Sequence, residues 1–129
     1  MPGSLLGGRN TRPLDPEQAR RVINTFLGMD ETAGRLARHD ESRPTVFLVR
    51  TEEEERIAEI VFSADIYPGP NISNPNSALS MSAAVAHELQ HYHRWIDLRE
   101  LNDTNLKHID EALTSLEAIQ RYGVNRQNY

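Results

Sequence analysis

The residues Ala83–Trp95, AAVAHELQHYHRW, constrain the fold more than any other stretch, because they hold His87, Glu88 and His91 in the spacing H-E-x-x-H. On a helix, His87 and His91 lie one turn apart on one face, where two imidazoles can grip a single metal ion, and Glu88 sits beside them. Two ligands do not complete a hydrolytic site, which uses three protein ligands and keeps a position for water. A second element must therefore face this helix and bring the third. The last helical stretch supplies a candidate, Glu111, in His108-Ile109-Asp110-Glu111-Ala112-Leu113-Thr114-Ser115, after nineteen intervening residues (92–110). That length suits a helix end, a tight turn and a return.

Composition narrows what else the chain can be. With 129 residues it is about one domain long. The charge is acidic, 14 Lys+Arg against 19 Asp+Glu, with no long basic run, which argues against nucleic acid as a partner. No cysteine is present, so disulfides, thiol nucleophiles and Cys-type zinc sites are all excluded, leaving His and carboxylate as metal ligands. No apolar run approaches the roughly 20 residues needed to span a bilayer, and the start MPGSLLGGRNTRP lacks the apolar core of a signal peptide. A soluble, cytoplasmic protein with no membrane partner is the expectation. Asn71-Ile72-Ser73 and Asn102-Asp103-Thr104 fit the glycosylation pattern but have no expected role there.

Taken in order, residues 1–14 read as a flexible N-terminal tail, residues 15–122 as a single domain, and residues 123–129 as a polar C-terminal tail. Asp15 is a good N-cap, Pro16 suits the first helical position, and Val22, Ile23, Phe26 and Leu27 form a stripe, predicting a helix over about 16–29. A shorter helical turn is expected over 31–38. Thr45–Val49 is short, apolar and β-branched, as in a central strand buried on both faces, and Ile57–Phe62 reads as its hairpin partner across a charged turn. The run Glu52–Glu55 at that tip is expected to be solvated. Asp65–Asn76 is a loop punctuated by Pro, Gly and Asn, with a possible edge strand at 64–67. Ser77, Ser80 or Ser82 can cap the long H-E-x-x-H helix, expected to run into Arg99. A last helix from about Asp103 to Tyr122, with Leu106, Ile109, Leu113, Leu116 and Ile119 at helical spacing, stops at Gly123. The fold class is α+β.

The pattern HELQH, nineteen residues, then DEALTS resembles the gluzincin metallopeptidases, including the thermolysin family, whose third-ligand Glu stands in N-E-x-x-S-D on the following helix. The resemblance implies His87, His91 and Glu111 as ligands of one Zn2+ per chain and Glu88 as the catalytic base. Asp110 stands where that pattern has Asn, and its acidic residue falls at Ser115. In size and layout the chain is also similar to minimal zincin domains such as the peptidase part of the ImmA/IrrE group, in which a small sheet precedes the H-E-x-x-H helix. The motif-level likeness covers residues 83–91 and 110–115.

Chemistry gives the same roles. A His2Glu site keeps an open position and brings the pKa of its water toward neutrality, and Glu88, pointing off the ligand face, can take and return the water's proton. The stabiliser of the developing oxyanion stays open among His108, Tyr92, Tyr67, Tyr122 and Arg121. His108, three residues before Glu111, can instead be a ligand, a donor behind the ligands or a plain surface residue. Ser115 and Tyr92 are further candidates for support of the site, whereas His93 is expected to make a solvent or capping contact.

The expected function is a zinc-dependent metallopeptidase that holds a protein or peptide substrate on an edge strand near residues 57–67, with a regulatory partner as a further possibility. The alternatives are a zincin-like metal- or partner-binding regulatory module without peptidase activity, and a ferritin-like di-iron protein, because Glu88-x-x-His91 also fits that motif.

Overall fold

The structure, a computed structural model, describes residues 9–69, 80–97, 99 and 106–123. Helix α1 (Pro16–Met29) begins where its capping residues dictate. The Asp15 carboxylate accepts the Gln18 N–H at 2.8 Å, the Gln18 side chain accepts the Asp15 N–H at 3.0 Å, and Pro16 occupies the first turn. Val22 and Phe26 of its apolar stripe are fully buried. Asp30 then caps a single turn, α2 (Glu31–Gly34), through the Ala33 N–H. Gly34 is required here, because a Cβ would lie 2.5 Å from the Phe26 carbonyl oxygen.

The turn expected to continue to residue 38 ends at Gly34, and Ala37–His39 forms strand β1 instead. Strands β2 (Val46–Glu52) and β3 (Glu55–Phe62) make the expected hairpin across Glu53 and Glu54, both left-handed with φ of 51° and 69°. Two left-handed residues in a two-residue loop give the twist that antiparallel strands need. Both are exposed, as expected of the acidic tip.

The sheet order is β1-β3-β2, with β1 parallel and β2 antiparallel to β3. This corrects the expectation that Thr45–Val49 is the central strand: β2 is an edge, half-buried at best, and β3 is central. Ala58, Ile60 and Phe62 alternate onto the face covered by helices. On the opposite face Glu59 pairs with Arg38 at 3.1 Å. The segment 64–67, considered as an edge strand, is a 3-10 turn (Ala64–Ile66) that receives Arg9: its Nε and Nη2 each donate at 2.9 Å, to the carbonyls of Asp65 and Ile66. Arg9 is buried deeply enough to bring its guanidinium down to about 10 despite Asp65. Leu14 joins the core and Asn10 donates to the Ala64 carbonyl, so Arg9, Asn10 and Leu14 anchor the described part of the expected tail to the body, whereas residues 1–8 lie outside the described residues.

Ser80 caps helix α3 (Met81–Ile96), accepting the Ala83 N–H at 3.0 Å; Ser77 lies outside the described residues. The helix ends at Ile96 and not at Arg99. Its Ala84, Val85 and Leu89 close the core with Val22 and Phe26 of α1, Ile60 and Phe62 of β3, and Ile66. Helix α4 (Lys107–Tyr122) packs on α3 and stops, as expected, at Gly123, whose φ of 68° gives the left-handed C-cap. Residues 100–105, where an earlier start was expected, lie outside the described residues. The architecture is α+β, four helices and a three-stranded sheet among the described residues. No described helix is long and apolar enough to cross a membrane.

Candidate metal centre

Helix α3 carries two stripes. One is apolar and faces the sheet and α1. The other, His87, Gln90, His91 and Arg94, follows the spacing i, i+3, i+4, i+7 and meets α4. Burying so many polar groups is tolerable only if each finds a partner, and α4 supplies them. Glu111 Oε2 lies 2.8 Å from His87 Nε2, and its Oε1 lies 2.9 Å from His91 Nε2. The two imidazole Nε2 atoms are 3.1 Å apart, with rings nearly perpendicular. Behind them, His87 Nδ1 lies 2.9 Å from Ser115 Oγ, a contact that fixes the ring and directs Nε2 toward the cluster.

The rest of the seam locks the register of the two helices. Arg94, 2% exposed, donates to Asp110 at 2.7 Å and to Glu117 at 2.8 Å, and Arg99 also reaches Glu117 at 2.8 Å. Gln90 donates to Glu117 at 2.8 Å and accepts from Arg121 at 2.7 Å. Sequence reading missed Gln90, Arg94 and Glu117 and gave Arg121 another role. Their signal was present: positions 87, 90, 91 and 94 are all polar on one stripe of an otherwise buried helix, which demands a polar partner. Asp110, where the resembled pattern has Asn, is thus the buried partner of Arg94.

On its far side His91 packs against β2. The Phe47 ring lies 6.1 Å away and almost parallel, Trp95 packs on Phe47 at the same separation, and the Arg56 guanidinium sits 5.8 Å from the Trp95 ring centre. These aromatic contacts restrict the His91 rotamer and bring an edge strand beside the cluster.

The electrostatics separate the two carboxylates. Burial alone pushes Glu111 up, but its contacts with His87 and His91 outweigh that and hold it far below the usual carboxylate range. Glu88 is shifted the other way: burial raises it, only partly countered by the nearby His91 and His87, with Glu111 and Asp65 adding repulsion. The residue is 5% exposed and lies against the two histidines.

The donor set fits a divalent cation. Two imidazole nitrogens and a carboxylate oxygen converge, all within 4.8 Å of one another, and they form the only cluster of this kind among the described residues. His108 is exposed and outside the cluster. The other candidates are engaged elsewhere: the Tyr67 hydroxyl donates to the Gln18 carbonyl at 3.4 Å, Tyr122 to Asp30 at 2.9 Å, and Arg121 to Gln90. Tyr92 packs among His93 and Trp95. His93 Nε2 lies 2.7 Å from Asp30, tying α3 to the α1–α2 junction.

No protein-family model, no curated protein and no solved structure matches the chain.

Proposed function

We propose that the chain is a metal-dependent peptidase, with His87, His91 and Glu111 holding one divalent ion, zinc by the chemistry of the donors, and Glu88 serving as general base. The observation that carries this reading is Glu88. Burial raises the pKa of its carboxyl group, and the residue adjoins three converging metal donors. When bound, the ion supplies a Lewis acid and acidifies a water. Glu88 takes the proton of the attacking water at a carboxylate oxygen and delivers it to the leaving amine nitrogen as the peptide bond breaks. Ser115 and Phe47 hold the two imidazoles in place while this occurs.

The substrate strand expected along residues 57–67 needs correction, since β3 is paired on both sides at Ile60–Phe62. No described strand pairs with the outer edge of β2, and Phe47 on β2 packs against His91, which supports β2 as the peptide-binding edge. The cytoplasmic setting expected from the sequence is part of the same proposal. The three-stranded sheet and the single donor cluster among the described residues argue against a di-iron bundle.

The test is cleavage of a mixed peptide library by zinc-loaded protein, beside Glu88→Gln, with metal content measured on both. Cleavage lost in Glu88→Gln with full metal content is the expected result. Cleavage unchanged by that substitution, or none by the native protein at any metal loading, would overturn the peptidase reading.

A further inference from the structure

Helix α4 turns its apolar side away from the body. Leu106, Ile109, Leu113, Leu116 and Ile119 are between 37% and 59% exposed, while Asp110, Thr114 and Ala118 on the other side are buried against α3. The exposed residues are ordered. Leu106, Ile109, Leu113 and Leu116 follow the three-four-three spacing of a heptad seam, with Ala112 and Ile119 flanking it. From these observations we infer that this face pairs with α4 of a second copy of the chain, antiparallel across a two-fold axis near residue 111.

Three features favour a second copy. A heptad seam is complementary to itself when reversed: Leu106 meets the partner's Leu116, and Ile109 meets the partner's Leu113. The nearest acidic residues do not set like charges against each other, because Asp110 is buried against α3 and Glu117 is paired to Arg94 and Arg99. Lys107 and His108 sit at one end, so an antiparallel pair keeps them apart, whereas a parallel pair would place them side by side. The area agrees with a reversible dimer. Five half-exposed aliphatic side chains offer on the order of 300 Å² per copy, the size of a functional surface patch, and with its rim the pair comes to about 1,000 Å², the lower limit for a specific interface. Glu111 and Ser115 face α3, so the pairing leaves the metal donors untouched and does not depend on the peptidase reading.

Sedimentation velocity from about 1 to about 500 µM, the range in which an interface this small associates, tests the inference. The native chain should pass from monomer to dimer, and the double variant Leu113→Glu, Leu116→Glu should remain monomeric with unchanged circular dichroism. Because the chain has no cysteine, Ala112→Cys provides a second, independent reading. It should form a disulfide dimer across the axis, and Lys107→Cys should not. A native chain monomeric throughout the range would overturn the inference and leave the face to another protein's helix. A dimer that survives both glutamates would overturn it equally, and cross-linking at residue 107 in preference to residue 112 would overturn the antiparallel arrangement.

Discussion

Helices α1 and α4 are alike on paper and opposite in the fold. They have 14 and 16 residues, and each bears an apolar stripe at helical spacing. In α1 the stripe enters the core, with Val22 and Phe26 fully buried, and the N-terminus is closed by a reciprocal cap. In α4 the stripe faces outward, Leu116 being 59% exposed, and Leu106 at the N-cap position makes no side-chain capping bond. The difference shows that an amphipathic helix buries whichever face its neighbour can satisfy. Opposite α1 lie Phe62, Ile66 and Leu89; opposite α4 lie His87, Gln90, His91 and Arg94. Delivering Glu111 to two buried histidines fixes the rotation of α4, and its leucines are left outside as a result.

Substitutions can break this contrast, beginning with the largest effects. Phe26→Ala should cost about 3–5 kcal/mol in urea unfolding, the usual loss for a large core residue. Arg94→Ala should cost a similar amount, about 3–5 kcal/mol, because it removes the buried cation that Asp110 and Glu117 share and leaves Glu117 only the more exposed Arg99. Were Arg94→Ala as mild as a surface substitution, the polar seam would not be what holds α4. Asp15→Ala, which opens the α1 cap, should cost about 1 kcal/mol by the same measurement.

A smaller, pH-dependent effect is expected at the clasp that joins the ends of α1, α3 and α4. Burial raises Asp30, but hydrogen bonds from His93, the Ala33 N–H and Tyr122 more than offset this and leave it lowered. A carboxylate depressed in the folded state stabilises the protein above its unfolded pKa, about 3.9, and that contribution fades as the pH falls through the folded value. Asp30→Asn should therefore be less stable than the native chain at neutral pH, with the gap closing in acid. A gap independent of pH would show that only the α2 cap was altered. The least effect belongs to Leu116→Ala, within about 0.5 kcal/mol for the monomer at low concentration, in contrast to Phe26→Ala.

What could be read from the sequence was local. Asp15-Pro16 and Gly123 mark helix ends because capping involves neighbours in sequence, and His87, Glu88 and His91 are legible because helical spacing alone aligns two of them. Glu111 was reachable through the length of the return. What depended on distant partners was not legible. Ala37–His39 has no strand-like alternation and becomes β1 only because the end of β3 offers it a free edge. The apolar run 45–49 resembled a central strand, and β1 taking the other side of β3 left it at the edge. The outward turn of α4 was hidden for the same reason: its own periodicity says which residues share a face, and only Arg94, Gln90 and the histidines of α3 decide which face is buried.

The central claim, that a metal joins α3 to α4 through His87, His91 and Glu111, is tested most directly by thermal unfolding of chelator-treated protein with and without added zinc. At a concentration about 100 times its dissociation constant, zinc should raise the native Tm by roughly 5–15 °C and leave the Tm of Glu111→Ala nearly unmoved. An equal rise in both proteins would contradict the claim, because the stabilising ion would then be bound without the helix that is said to carry its third ligand.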